Sequence, residues 1–200
     1  MTLRWTTPGN ASLTEVAAPN IARFIDCSPS LSMRMLLSGP YEDVSGEKRD
    51  DLRANNLLPL SEPYTALGFA QVGGGGGETV SPTLLSITGK NAIVDWVRVE
   101  LRSASDATSL VASRHALVQR DGDVVAANGS SVLNFDVGTG LYFVVVRHRN
   151  HLGAMTLGTV DFTGGTPTID FRSAATSTLG TNARKDISGA MALWAGNVYR

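Results

Sequence analysis

Apolar and polar residues alternate along several stretches of the chain with a period of two, which is the period of side chains on a β-strand. The first stretch places four apolar side chains on one face: Leu31, Met33, Met35 and Leu37. Residues 93–102 alternate in the same way. The predicted core face carries Ile93, Asp95, Val97, Val99 and Leu101, and the opposite face carries Trp96, Arg98, Glu100 and Arg102. Both stretches are predicted to be strands that bury one face.

Residues 141–153 begin as an apolar run of β-branched and aromatic residues and end in a cationic tip with two histidines. This pattern predicts a buried central strand that emerges at a sheet edge. Hairpin signals separate the other strands, with Asp-Gly at 121–122 and Asn-Gly at 128–129. Together these features predict an all-β fold, an antiparallel β-sandwich of the Ig-like or Greek-key type.

Three segments do not alternate. Residues 1–30 are interrupted by prolines and are predicted to form an extended N-terminal arm, which leaves residues 31–200 as the sandwich domain. A short helical turn is predicted near residues 50–56, and its neighbours would pack over the end of the sheet: Leu52, Leu57, Leu58 and Leu60. The glycines at 73–77 predict a loop that does not bind phosphate, because no lysine follows them and Pro82 disfavours a helix there.

Composition narrows the class of partner. Charged residues make up 18% of the chain and the net charge is −1, which argues against broad binding to nucleic acid or anionic lipid. The single cysteine, Cys27, allows no intrachain disulfide, and no apolar run reaches the roughly 20 residues needed to cross a bilayer. We therefore expect no membrane insertion. The N-terminus lacks the apolar segment of a signal peptide, so the chain either is not exported by that route or is a processed form or fragment.

Sequence signals for catalysis are weak. Neither a Gly-x-Ser-x-Gly nor a His-Glu-x-x-His motif occurs, and no pair of acids stands in a recognisable setting. Cys27 has no histidine in its sequence neighbourhood. The chain is predicted not to be an enzyme and to need no cofactor.

The polar tip of the central strand is the strongest candidate for a specific site: Arg147, His148, Arg149, Asn150 and His151. The two histidines converge on a metal only if the chain bends between them, and no Cys or acidic ligand stands beside them. We therefore predict that the tip forms structural hydrogen bonds with loops. Contact with a carbohydrate or an acidic partner is the alternative.

Two other sets of residues are candidates for ligand contact. Asp121 and Asp123 have the spacing of alternate calcium ligands, but the other oxygen donors of a calcium loop are absent, which favours a plain hairpin turn. Trp5, Trp96 and Trp194 are candidates for stacking on sugar rings or on a partner. Trp96 lies opposite the inferred core, and we predict that a second layer covers it.

Several motifs occur in a fixed order along the chain: Arg-Asp-Asp-Leu-Arg at 49–53, Leu-Pro-Leu-Ser-Glu-Pro-Tyr-Thr-Ala-Leu-Gly-Phe at 58–69, Val-Gly-Gly-Gly-Gly-Gly-Glu at 72–78, Ile-Val-Asp-Trp-Val-Arg-Val-Glu-Leu-Arg at 93–102, Gln-Arg-Asp-Gly-Asp-Val-Val at 119–125, Val-Arg-His-Arg-Asn-His-Leu-Gly at 146–153 and Leu-Trp-Ala-Gly at 193–196. This set resembles a region near the C-terminus of many large secreted or surface proteins of the Bacteroidota. The resemblance implies an extracellular, non-catalytic β-rich module of adhesin-like or repeat-bearing proteins. In that family the last motif commonly continues into a calcium-loop-like segment, whereas residues 197–200 read Asn-Val-Tyr-Arg here, so calcium binding at this end is not implied.

These observations lead to two hypotheses on function. The first is a structural or adhesive module of the cell surface that associates with itself or with other surface proteins. One form of this self-association is a filament in which each subunit exchanges its terminal strand with the next. The second is a carbohydrate- or calcium-dependent binding module of a secreted protein.

Overall fold

The strands of the computed structural model occupy the segments in which the sequence alternates. The structure describes residues 28–196, so most of the predicted arm, with Trp5, lies outside the described residues, as do residues 197–200. The strands are numbered in chain order: β1 (Ser30–Arg34), β2 (Tyr41–Glu42), β3 (Glu47–Lys48), β4 (Ile93–Ser103), β5 (Asp106–Gln119), β6 (Asp123–Ala126), β7 (Leu133–Asn134), β8 (Leu141–His148), β9 (His151–Met155), β10 (Val160–Asp161), β11 (Thr168–Asp170), β12 (Lys185–Ile187) and β13 (Ala190–Ala192). The helical elements are short: α1 (Asp51–Ala54), α2 (Pro82–Leu85) and a 3-10 turn (Gly89–Asn91).

Nine strands form one sheet in the order β10, β8, β4, β5, β6, β1 and β11, with β9 beside β8 and β7 beside β1. Every pair in it is antiparallel except β1 with β11. The hairpin between β5 and β6 turns at residues 120–122, as predicted. The prediction of an all-β, sandwich-like fold is confirmed.

The sheet closes on itself at a seam, which we define as residues 36–39, 148–151 and 193–196. Leu37, in the segment that follows β1, bridges Leu193 in parallel orientation. Ala195 then bridges His151, the first residue of β9, in antiparallel orientation. Because β9 pairs with β8, these two bridges connect the β8 side of the sheet to the β1 side. The sheet therefore wraps around its core.

The enclosed core contains the apolar face of each long strand. The residues that alternate in and after β1 are all buried in it, as predicted: Leu31, Met33, Met35 and Leu37. They pack against residues of β4 and β8, which are not neighbours of β1 in the sheet, such as Val97 and Val146. Burial of this face supplies most of the favourable free energy of folding.

A second layer covers the other face of β4 and β5. It comes from residues 52–88, and its buried cluster joins Leu58, Tyr64 and Val80 to Trp96 and Leu117 of the sheet. The helical turn is present as α1, which confirms that prediction. The packing of Leu57 and Leu60 was predicted wrongly, because both are exposed. Asn56 takes a left-handed φ of 55° and ends the turn, and Leu58 then joins the buried cluster on the sheet, against which Leu52 also packs.

A β-bulge at the start of β4 changes which side chains face the core. The pairing shifts between Ile93 and Asp95, so Val94 is the residue that joins Val97 in the enclosed core. Ile93 packs instead with Trp96 in the outer cluster. The prediction that Ile93 shares the core face is therefore wrong. Within residues 28–196, none of the helices has the length and apolar character needed to cross a membrane.

Candidate functional site

The two histidines of the polar tip meet at the seam. His148 ends β8 and His151 begins β9, and the two-residue turn between them is the bend that a common site requires. The ring centroids lie 4.7 Å apart at an interplanar angle of 76°. Both side chains are buried. The tip is therefore a preformed pair of imidazoles and not two separate surface residues.

Backbone donors fix the proton positions on both rings. The amide of Asn150 donates to Nδ1 of His148 over 3.1 Å, and the amide of Gly39 donates to Nε2 of His151 over 3.2 Å. A nitrogen that accepts carries no proton, so His148 is protonated on Nε2 and His151 on Nδ1. His151 accordingly donates from Nδ1 to Nδ1 of His148 over 2.9 Å. Both imidazoles are neutral in this arrangement.

Asp95 ends the chain of hydrogen bonds. Nε2 of His148 lies 3.1 Å from Oδ2 of Asp95, and the guanidinium of Arg149 lies 2.8 Å from the same oxygen. The expectation that no acidic residue stands beside the histidines is wrong, because β4 places Asp95 next to the end of β8. Asp95 was visible in the sequence as the one acidic side chain on a predicted core face.

The hydrogen-bonded residues Asp95, His148 and His151 border a cavity of about 220 Å³. The surface of this cavity is mostly apolar, and Leu37, Leu52 and Val94 are among the residues that line it. The pKa of His151 is lowered to about 4, chiefly by burial and also by the neighbouring His148, while Asp95 opposes the shift. Every imidazole nitrogen already has a partner. Binding a metal here would therefore require breaking at least one hydrogen bond of the seam.

A second buried cluster surrounds the third histidine. His115 of β5 places Nδ1 2.7 Å from Oε2 of Glu78 and 3.5 Å from Oε2 of Glu62. One ligand atom from each of the three residues lies within 4.8 Å of the other two, a spacing that would fit a metal ion. Sequence reasoning missed this cluster, because its acids come from a distant loop, with Glu78 lying 37 residues before His115 and Glu62 further still.

Arg98 argues against a metal at this cluster. Its Nη1 lies 3.2 Å from Nε2 of His115, and because a guanidinium only donates, Nε2 is an acceptor and the ring proton is on Nδ1. A metal bound to Nδ1 would move that proton to Nε2, where it would face the Arg98 donor. The cluster is instead complete as a hydrogen-bond network.

Hydrogen bonds from the loop and from β5 hold the carboxylates of this network ionised. Burial alone would raise the pKa of Glu62, but hydrogen bonds from Thr65 and from the amide of Gly77 outweigh burial and hold it below its usual value. Burial would also raise the pKa of Glu78, but the hydrogen bonds between Glu78 and His115 outweigh burial and lower this pKa. The aromatic ring of Tyr64 stacks on His115, with centroids 5.1 Å apart.

The glycine run at 73–77 allows this loop to lie against β5. A Cβ on Gly75 would overlap the carbonyl oxygen of Ser113, and one on Gly73 would lie 2.7 Å from the Cβ of Ala112. The amide of Ser113 donates to the carbonyl of Val72 over 2.8 Å. The loop prediction is confirmed, and the reason for the glycines is close approach of two backbones.

Arg147 belongs to a group of three arginines around one carboxylate. Glu100 is buried and pairs with Arg98, Arg102 and Arg147 at 2.7 to 3.2 Å. Burial would raise the pKa of Glu100, but hydrogen bonds from Arg98 and Arg102 lower it. Three guanidiniums on one carboxylate leave a surplus of positive charge, and Arg147 carries it to the surface.

Asp121 lies in the β5–β6 turn and Asp123 begins β6, and both have cationic neighbours. Oδ1 of Asp121 accepts the amide of Asp123 over 3.0 Å, and Asp123 pairs with Arg34 at 2.6 Å. Asp121 also accepts the Arg172 guanidinium through its carbonyl oxygen. Positive neighbours of this kind oppose a calcium ion, so the geometry favours the plain turn.

The tryptophans have different surroundings. Trp96 is fully buried under the second layer and donates from Nε1 to the carbonyl of Pro59 over 2.8 Å, so the prediction that it is covered is confirmed. Trp194 is partly exposed at the seam, and Lys185 lies over its ring.

A cleft of about 340 Å³ opens between β5 and the Asn128–Gly129 turn. It is lined by Glu78, Arg114, Ser130 and Asn134 among others. Arg114 uses Nε and Nη1 to bind carbonyl oxygens of Asn134 and Gly73. Hydrogen-bonding side chains around an open cleft suit a polar ligand such as a sugar.

Comparison of the chain with protein-family models, with curated proteins and with solved structures finds no match in any of the three.

Proposed function

We propose that the chain is a non-catalytic structural or adhesive module of an extracellular surface protein, and that it acts by contact with copies of itself or with other surface proteins. One observation carries this proposal: the buried polar groups serve the fold. Among the described residues, Nε of Arg184 is the one buried side-chain nitrogen or oxygen without a hydrogen-bond partner. The extracellular location is supported by the resemblance to the Bacteroidota region.

Both histidine clusters support a structural role. In each, backbone or guanidinium donors hold the rings in one tautomer, and the acids are saturated by hydrogen bonds. A general base needs a free lone pair that a substrate proton can reach. Here the lone pairs are used to join loops to the sheet and to hold the seam.

Self-association is tested by sedimentation velocity of the whole chain over a range of concentrations, with a synthetic peptide of residues 1–30 as competitor. We expect concentration-dependent oligomers that the peptide dissolves and that a scrambled peptide leaves intact. A chain that stays monomeric at every concentration overturns the self-assembling form. Oligomers that resist the peptide overturn exchange of the N-terminal strand.

A carbohydrate-binding role is a second candidate, because the cleft beside β5 offers Arg114 and Asn134 to a polar ligand. The test is a glycan array probed with the wild type and with Asn134→Ala, whose side chain forms no hydrogen bond to another described residue. We expect a glycan bound by the wild type and lost in the variant. An array without signal, together with no shift of Tm in calcium, overturns this candidate.

A further inference from the structure

A strip of exposed apolar side chains follows the outer face of β9. Its most exposed members are Leu152 at 54%, Leu157 at 56% and Leu179 at 52%, with Trp194 at 37%. Single exposed apolar residues are normal on protein surfaces, whereas a continuous group with a tryptophan is typical of an interaction site.

The pairing of the strand shows that these residues are contiguous. The bridge between His151 and Ala195, with the hydrogen bond from the Leu152 amide to the Trp194 carbonyl, places Leu152 opposite Trp194. The bridge between Thr156 and Thr178 places Leu179 opposite Met155 in the same way, since the Leu179 amide donates to the Met155 carbonyl.

The side chains point outwards because buried residues of β9 take the inner face, and a β-bulge in the β8–β9 pairing explains why two of these, His151 and Ala154, are three residues apart. His151, Ala154 and Thr156 are buried, which leaves Leu152, Met155 and Leu157 on the outer face. We call the five residues the β9 strip: Leu152, Met155, Leu157, Leu179 and Trp194. The second layer of residues 52–88 covers β4 and β5, and no residue of the strip belongs to its cluster.

A partner cannot extend the sheet along most of this edge. The backbone of β9 already bonds to residues 177–179 and 194–196. Addition of a strand, which needs free N–H and C=O groups, is therefore blocked at these positions. A partner would dock through its side chains.

The cations beside the strip define the charge of that partner. Arg147 lies over Gly153, where an added Cβ would be 3.3 Å from its Cγ, so its aliphatic stem crosses β9. Its side chain is 42% exposed, and its partner Glu100 is shared with two other arginines. Lys185, over the Trp194 ring, pairs with no acidic side chain of the described residues.

We propose that the β9 strip is a docking surface for a partner segment that presents aliphatic side chains flanked by carboxylates. The aliphatic groups would bury the leucines of the strip, and the carboxylates would meet Arg147 and Lys185. This inference rests on the proposed function, since it names the chemistry of the surface protein that the module contacts.

The probe is a fluorescein-labelled peptide in which leucine and glutamate alternate, compared with its counterpart in which leucine and lysine alternate. We expect fluorescence anisotropy to show binding of the glutamate peptide and not of the lysine peptide. The double variant Leu157→Ser, Leu179→Ser should weaken binding by about tenfold or more, because two exposed leucines lose their contacts. The matched control Leu57→Ser removes a leucine outside the strip that is at least as exposed, and it should leave binding unchanged.

Charge is tested separately with Arg147→Gln, which should weaken binding about threefold and flatten its dependence on salt. Absence of binding to the glutamate peptide, equal binding of the lysine peptide, or undiminished binding by the double variant each overturns the inference. Sedimentation of the same variants separates the two proposals. Peptide binding that fails while oligomers persist overturns the strip alone, and binding that persists in a monomeric chain overturns self-assembly alone.

Discussion

Nδ1 of His151 donates a hydrogen bond to Nδ1 of His148 over 2.9 Å, and this contact requires Nδ1 of His148 to carry no proton. The contact lies where three segments meet, since Gly39 donates to the far side of His151 and Asp95 accepts from the far side of His148. A proton added to Nε2 of His151 would face the amide of Gly39, and a proton added to Nδ1 of His148 would face the amide of Asn150. The hydrogen bonds that hold the closed sheet therefore depend on pH.

The first prediction is that stability falls as the medium becomes acidic. The pKa of His151 is about 4 in the folded protein and near 6.5 in the unfolded chain. The unfolded chain binds more protons between these values, so the contribution is complete above pH 6.5 and is lost as pH falls towards 4. The full shift is worth roughly 3 kcal/mol, which solvent screening reduces to about 1–2 kcal/mol.

Urea unfolding followed by tryptophan fluorescence from pH 7 to pH 5 measures this loss. The window avoids most of the titration of Glu62, Glu78 and Glu100, whose lowered pKa values make their contribution disappear only at lower pH. His151→Gln keeps an acceptor for the Gly39 amide and should flatten the slope. The control Lys90→Gln should not, and an unchanged slope in His151→Gln would contradict the prediction.

Lys48 gives a second dependence on pH, in the alkaline range. Its side chain is fully buried and donates from Nζ to the carbonyl of Met35 over 3.1 Å. Burial lowers its pKa from 10.5 to about 7, although Asp121 opposes the shift. The unfolded chain binds the extra proton between pH 7 and 10.5, so stability should rise with pH across this window by about 5 kcal/mol.

Lys48→Met should remove this rise, because the variant has no group that titrates at the position. The measurement is the slope of the unfolding free energy against pH and not its value at one pH, since the Met35 carbonyl also loses its donor in the variant. Lys90→Met changes an exposed lysine and should keep the wild-type slope. A slope that survives in Lys48→Met would show that another group causes it.

Gly75→Ala tests the close approach of the glycine loop to β5. The added Cβ would overlap the Ser113 carbonyl, so the loop must move and its bonds from Ser113 and Gly77 weaken. We expect a loss of about 2–4 kcal/mol in urea unfolding. Gly138→Ala is the matched control, because nothing lies within 4 Å of its Cβ and its φ is not left-handed, and it should change stability by less than about 0.5 kcal/mol.

Local patterns predicted the parts of the fold that depend on neighbours in sequence. Alternation identified the core face of β1, and Asp-Gly identified the turn before β6, because both depend on a few adjacent residues. The bulge at Val94 shifts the register by one residue and leaves no signal in the sequence, because Ile93 and Val94 are both apolar and either could face the core. No such pattern could show that β4 brings Asp95 to His148, or that a loop brings Glu62 and Glu78 to His115, because those contacts depend on how distant segments pack.

The last prediction concerns Arg98 as the group that excludes metal from the Glu62, Glu78 and His115 cluster. Arg98→Met removes the donor that faces Nε2 of His115, so the ring proton is free to move to Nε2 and Nδ1 becomes available as a ligand. The variant should be less stable by about 3–5 kcal/mol, since the Ala70 carbonyl and Gln71 also lose their donor. Zinc should raise its Tm, and cobalt should give the visible absorption of a tetrahedral site.

The wild type and Arg98→Lys, which keeps a cation at the position, should show neither effect. The double variant Arg98→Met, Glu78→Gln should lose both. Zinc stabilisation of the wild type that disappears in Glu78→Gln would show that Arg98 does not exclude the metal.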